Sequence, residues 1–157
     1  MAHPFRDSVW YDHGTILRRV PGGSVRVSAL DDGSTTVDDF LLDAAPVTVQ
    51  RYARFLGTVG AHIPEPLDWA TQLRTPHAPV TGVGPDDAAA FAAFVGGRLP
   101  TVWEWQRAAR GRFGLAAAPL GEPFGVAGLC QRWEWTQTPA PLGFWVCGGR
   151  YRDQPHD

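Results

Sequence analysis

Apolar positions along this chain change period several times, and each change marks an element. Val25 and Val27 alternate with Arg26 and Ser28, the period of a half-buried strand, so Ser24 to Ala29 is expected to be extended. Ile16 to Val20 reads as a second strand, joined to it by the turn Pro21-Gly22-Gly23. Asp31-Asp32-Gly33-Ser34 is turn chemistry, and Thr35 to Asp43 follows as a third strand ending in Phe40-Leu41-Leu42. After Pro46 the period lengthens. Val49, Tyr52, Ala53, Leu56 and Val59 recur at spacings of three and four, which predicts a helix over roughly 48–58 with one buried face; Gly57 and Gly60 loosen and end it.

Prolines at 64, 66, 76 and 79 make 61–84 a long loop with little structure of its own, pinned by Trp69. A second helix is expected from about Pro85 to Val95. Proline opens it, Asp86 and Asp87 sit at the positive end of its dipole, and Gly96-Gly97 stops it. The third helix carries the firmest signal. Thr101 is its N-cap, Glu104 three residues on completes a capping box, and Gly111 is the C-terminal stop. A stretch of Gly, Ala and Pro follows, then the aromatic segments Trp133-Glu134-Trp135-Thr136 and Phe144-Trp145-Val146. Residues 1–14 show little periodicity and are expected to be a surface lead-in, with one domain over 15–157 and no internal repeat.

Composition narrows the classes. The 157 residues are 44% hydrophobic and 19% charged, which excludes a disordered chain. No apolar run approaches the roughly 18 residues of a membrane span, so no membrane partner is expected. Glycine (18) and proline (14) are abundant enough to disfavour helix bundles and coiled coils. The formal net charge is −2; the 14 basic residues are all Arg, and they form no stripe, so nucleic acid is not an expected partner. Cys130 and Cys147 make no disulfide framework and the opening Met-Ala-His-Pro-Phe-Arg has no apolar core of a signal peptide, which places the expectation in a reducing cytoplasm.

Four segments together resemble one known family. Gly96-Gly97-Arg98-Leu99-Pro100-Thr101-Val102-Trp103-Glu104-Trp105-Gln106-Arg107-Ala108-Ala109-Arg110-Gly111 is similar to the G-x-R-L-P-T-E-A-E-W-E-x-A-A-R-G signature of the formylglycine-generating enzymes, also called sulfatase-modifying factors. The family motif G-N-V-W-E-W-T is matched by Cys130 through Thr136. Pro21-Gly22-Gly23 and Phe40 through Phe55 match the family opening, P-G-G followed by F-x-x-D-x-x-P-V-T-x-x-x-Y-x-x-F, and Val83 to Phe94 resembles its V-S-W-x-D-A-x-A-Y-A-x-W stretch. The resemblance implies an α+β fold of the C-type-lectin-like kind, with few regular elements and many ordered loops. The C-terminal domain of the ergothioneine sulfoxide synthases is related to it.

The departures shape the functional expectation. By resemblance, family enzymes run longer in this domain, so the chain reads as an abbreviated member. Their calcium loops fall near Arg112–Leu129, where Glu122 is the only carboxylate, and a calcium cage wants six or more oxygens, so calcium is not expected. Their copper is held by two thiolates shortly after a Gly-Gly. Here Cys147 precedes Gly148-Gly149 and no second Cys follows. In the sulfoxide synthases iron is held by three His on a separate helical bundle. The five His of this chain (3, 13, 62, 77 and 156) lack the H-x3-H spacing that puts two ligands on one helix face.

Two function classes follow. The first is a binding or accessory module for a small molecule, a peptide or a partner protein, with Trp145, Arg150, Tyr151 and Arg152 as ligand-binding candidates, because aromatic and Arg side chains together make binding hot spots. No metal is assigned in that reading. The alternative is an oxidoreductase acting on a thiol or peptide side chain, with copper at Cys130 and Cys147 or iron supplied by a partner subunit. Arg98, Thr101 and Glu104 are expected to form a structural ion-pair or capping network. Trp103, Trp105, Trp133 and Trp135 are expected in the core with Glu134 hydrogen-bonded to backbone, and both thiols are expected to be small buried hydrophobes. A homodimer that covers Phe144, Trp145 and Val146 is also expected.

Overall fold

The computed structural model describes residues 8–10, 14–27, 34–110, 124–129 and 132–148. In chain order the elements are β1 (Ser8–Trp10), β2 (Ile16–Val20), β3 (Gly23–Val25), β4 (Thr35–Val37), β5 (Phe40–Asp43), α1 (Val49–Val59), α2 (Trp69–Gln72), α3 (Pro85–Phe94), α4 (Val102–Arg110), β6 (Trp133–Ala140) and β7 (Gly143–Gly148). This is a mixed helix and sheet architecture with short elements, as the α+β expectation requires. The turn expected at 31–33, the stop at Gly111 and the glycine-rich stretch 111–123, Glu122 included, lie outside the described residues. Among the described residues no helix is long and apolar enough to cross a membrane.

The chain divides into two compact units. The first comprises Met1–Ala45 and Pro100–Asp157. Its three-stranded antiparallel sheet has the order β1-β2-β5, and β3-β4 and β6-β7 form two separate two-stranded ribbons. Two expectations are corrected here. The lead-in carries a strand, since Ser8–Trp10 pairs with β2 in the register Val9 to Leu17. Thr35 to Asp43 is two strands serving two sheets: Thr35–Val37 pairs with β3 and Phe40–Asp43 with β2. The break falls at Asp38-Asp39 because the Asp39 carboxylate turns away to the Gly22 amide and the Arg19 guanidinium. Alternation alone cannot reveal such a change of partner.

The core of this unit has two apolar clusters. One gathers Val25, Val27, Val102, Trp105 and Cys147, and the other Val20, Ala108 and Val126, with Leu129 packed against both. Helix α4 feeds both clusters, through Val102 and Trp105 on one side and Ala108 on the other.

The second unit, Pro46–Leu99, is contiguous. Helix α1 starts one residue later than its cap Thr48, whose hydroxyl accepts from the Arg51 amide (3.3 Å), and ends at Gly60 with φ of 71°, the left-handed conformation that spares a residue without Cβ. Its buried face is Val49, Tyr52 and Phe55. These pack on Trp69 and Phe91, with the Phe55 and Phe91 rings perpendicular at 5.5 Å, an edge-to-face geometry that aromatic quadrupoles favour.

The proline-rich segment is more ordered than the sequence predicts. It holds the one-turn helix α2, and Trp69 is buried in the aromatic cluster, so the expected pin is present. Two of its carbonyls, Ala78 and Pro76, accept from the Val49 and Gln50 amides, which are among the N-terminal donors a helix cannot satisfy internally. The Gln72 side chain then fastens the segment to itself: its amide nitrogen donates to the Leu67 and Thr81 carbonyls (2.7 and 3.0 Å) and its oxygen accepts from the Thr81 amide (3.0 Å).

Candidate functional site

Three of the sequence motifs, the Pro-Gly-Gly turn, the signature helix and the strand that opens with Trp-Glu-Trp-Thr, meet at helix α4. The capping box forms as expected. The Thr101 hydroxyl accepts from the Glu104 amide (3.1 Å) and the Glu104 carboxylate from the Thr101 amide (2.7 Å). A third donor of this helix start is satisfied from a distance of 36 residues: the Val102 amide donates to the Thr138 hydroxyl (2.9 Å) on β6. Arg98 donates from Nη1 to the Leu99 carbonyl (3.1 Å).

At the other end of α4, Arg107 binds the Pro-Gly-Gly turn. Its Nε donates to the Pro21 carbonyl (2.9 Å) and its Nη2 to the Gly22 carbonyl (2.8 Å), while its guanidinium lies over the Phe124 ring. Asp39 holds the same turn from the opposite side. Its Oδ1 accepts from the Gly22 amide (2.8 Å) and its Oδ2 pairs with Arg19. The amide bond first, and the Arg19 guanidinium second, keep the Asp39 carboxyl below its ordinary range. A Cβ at position 22 would overlap the Val37 carbonyl oxygen, so glycine is required there by close approach. Sequence reasoning singled out both the turn and the signature helix but had no means of joining them across 85 residues.

The β6-β7 ribbon reverses one expectation. Trp133 is 45% exposed and Trp135 half-buried, whereas Thr136 and Thr138 are buried. Placing Trp133 in the core is therefore corrected. Side chains alternate across a strand, and Thr136 and Thr138 are taken inward to hydrogen-bond the Trp145 carbonyl (2.8 Å) and the Val102 amide. Strand parity then sends Trp133 and Trp135 outward. Trp105, by contrast, is buried, and Trp103 packs beside it against the same cluster.

Glu134 shares the inner side with Cys147, its register partner on β7. The expected hydrogen bonding of its carboxylate to backbone is corrected for one oxygen. Oε1 is buried without a hydrogen-bond partner among the described residues, as is the indole nitrogen of Trp105. Burial pushes the Glu134 carboxyl up to about 7, against a smaller opposing pull from the Trp105 N–H. That indole lies close enough to favour the anion but not in regular hydrogen-bond geometry.

Of the ligand-binding candidates, Trp145 is half-buried on the ribbon side that also holds Cys147, and Arg150, Tyr151 and Arg152 lie outside the described residues. So does Cys130, and with it the separation of the two thiols. Cys147 itself is 5% exposed among Val25, Val27, Val102 and Trp105, the environment of a small buried hydrophobe. Among the described residues no three His, Cys, Asp or Glu side chains come together as a metal cluster.

Comparison with known proteins decides the family. The family described as the sulfatase-modifying factor enzyme 1-like domain matches residues 7–148. The chain belongs to this family. Among its relatives are the formylglycine-generating enzyme of Streptomyces coelicolor, 36% identical over 101 residues (62% of this chain and 26% of that protein), and that of Thermomonospora curvata, 41% identical over 63 residues (39% and 21%). The uncharacterized protein YfmG of Bacillus subtilis is 34% identical over 102 residues (56% and 20%). The matched region thus spans about a fifth to a quarter of the length of these relatives. In this sulfatase-modifying-factor-like domain, the motif residues Thr101 and Glu104 cap α4, Arg107 ties it to the Pro-Gly-Gly turn, and Thr138 ties its first amide to the ribbon.

Proposed function

We propose that this domain is a binding or accessory module of the formylglycine-generating-enzyme family, in a C-type-lectin-like arrangement and working in the cytoplasm, which presents its β6-β7 ribbon and the tail after it to a small molecule, a peptide or a partner protein. The observation that carries the reading is the sidedness of the ribbon. Cys147 is turned into the apolar cluster, while Trp133, Phe144 and Val146 face outward at 45%, 40% and 37% exposure. A thiol sealed among valines is poorly placed to meet a substrate, and exposed aromatic side chains are what binding surfaces use. Arg150, Tyr151 and Arg152 follow within four residues of the strand in sequence and carry planar donors and a hydroxyl.

Elemental analysis of the purified protein, expressed with copper and iron in the medium, tests the reading. Copper and iron are expected well below one per chain, with no change on Cys147→Ser. A stoichiometric ion that is lost on Cys147→Ser or Cys130→Ser would overturn it.

A further inference from the structure

The β6-β7 ladder comes in two lengths. Trp133, Glu134 and Trp135 pair with Gly148, Cys147 and Val146, while Pro139 and Ala140 pair with Phe144 and Gly143, and the register is irregular between Trp135 and Pro139. Two bonds that fasten the ribbon to the start of α4 fall inside that irregularity. The Gln137 amide donates to the Pro100 carbonyl (2.9 Å), and the Thr138 hydroxyl accepts from the Val102 amide (2.9 Å). The three-pair end lies beyond them, with Cys147 in one apolar cluster with Val25, Val27, Val102 and Trp105.

That packing encloses two polar atoms. Trp105 is 3% exposed, and its indole nitrogen is buried without a hydrogen-bond partner among the described residues. Oε1 of Glu134, the residue opposite Cys147, is buried in the same condition. While the end is seated, both atoms forgo bonds that water would give them; when it lifts, both regain them. An irregular register breaks the ladder locally, so the part beyond it can separate without unzipping the rest.

We propose that the three-pair end of the ribbon opens as a unit while the rest of its domain stays folded, and that Cys147 is a cryptic thiol which this opening uncovers. In the seated form the thiol is covered by the valines and the indole, so a soft electrophile or a disulfide reaches it only through the open form. Glu134 sets how often the end opens, because its carboxyl is better solvated outside than in. The inference goes beyond the module reading and turns on rates, whereas that reading turns on metal content.

Labelling of the full chain with N-ethylmaleimide at constant pH, resolved by peptide mass spectrometry so that Cys147 is read apart from Cys130, tests it together with amide hydrogen exchange. Cys147 is expected to react more slowly than a thiol in a short peptide, yet through an opening more frequent than the one that exposes the amides of β2 and β5. Amides of 133–135 and 146–148 are expected to exchange with the Cys147 opening. Glu134→Met keeps the side-chain length and removes the orphaned acceptor, and is expected to slow Cys147 labelling by roughly five- to a hundredfold. Labelling that proceeds only with the opening of β2 and β5 overturns the proposal. So does a native Cys147 as reactive as a peptide thiol, or a Glu134→Met chain that labels at the wild-type rate.

Discussion

Replacing Glu134 by Gln should remove a loss of stability that the protein suffers as pH rises from about 5 to about 8. In the folded chain burial raises this carboxyl from 4.5 to about 7. Between those values the native state holds a proton that the unfolded chain has released, so unfolding free energy falls as pH rises through the window. The contribution is fully present below about pH 4.5 and is lost as pH passes about 7. A displacement of this size corresponds to ~3 kcal/mol in all, of which roughly 2–3 kcal/mol falls between about pH 5 and pH 8.

Gln keeps the shape and polarity of the carboxyl without the charge, so Glu134→Gln should be the more stable protein at about pH 8, and its stability should be nearly flat across the window. Denaturant unfolding followed by circular dichroism at a series of pH values measures the difference directly, because the wild-type slope minus the variant slope belongs to this one group. Asp39 does not interfere. Its carboxyl is held below the ordinary value of 3.8, so its stabilisation is complete above that value and disappears only in more acid solution. Parallel slopes for the two proteins between about pH 5 and pH 8 would refute the argument that Glu134 is a buried, under-solvated acid.

Two further outcomes follow from the α4 contacts. Glu104→Ala should cost about 1–2 kcal/mol by releasing the Thr101 amide, with Glu104→Gln recovering part of the loss, both read as shifts in denaturant midpoint at constant m-value. Arg107→Lys should cost about 2–3 kcal/mol, because a point ammonium cannot span the Pro21 and Gly22 carbonyls as the guanidinium fork does. An unchanged thermal midpoint would remove Arg107 from its role as anchor of the turn.

Much of the fold was legible residue by residue. The spacing of Val49, Tyr52, Leu56 and Val59, with Thr48 before and Gly60 after, locates α1, and Thr101 with Glu104 locates the start of α4. These signals are local, since a cap, its partner and a buried stripe all lie within a few turns of one helix. The short helix α2 escaped because four residues are too few for a period to show. The candidate site was legible only as a set of motifs. The order of Pro-Gly-Gly, the signature helix and the Trp-Glu-Trp-Thr segment was enough to suggest the family, to which the match over residues 7–148 assigns the chain.

What the amino-acid sequence determined by itself was therefore the set of elements whose partners are near neighbours, and the family to which their order belongs. What the tertiary structure decided was direction and partnership. Thr35 to Asp43 could pair on either side, and Asp39 reaching Gly22 split it between two sheets. The Trp-Glu-Trp-Thr strand could bury either face, and the amide of Val102 drew the threonines in and left Trp133 in solvent. Alternation states that a strand has two sides. Which side is buried depends on the hydrogen-bonding groups that distant segments bring to it.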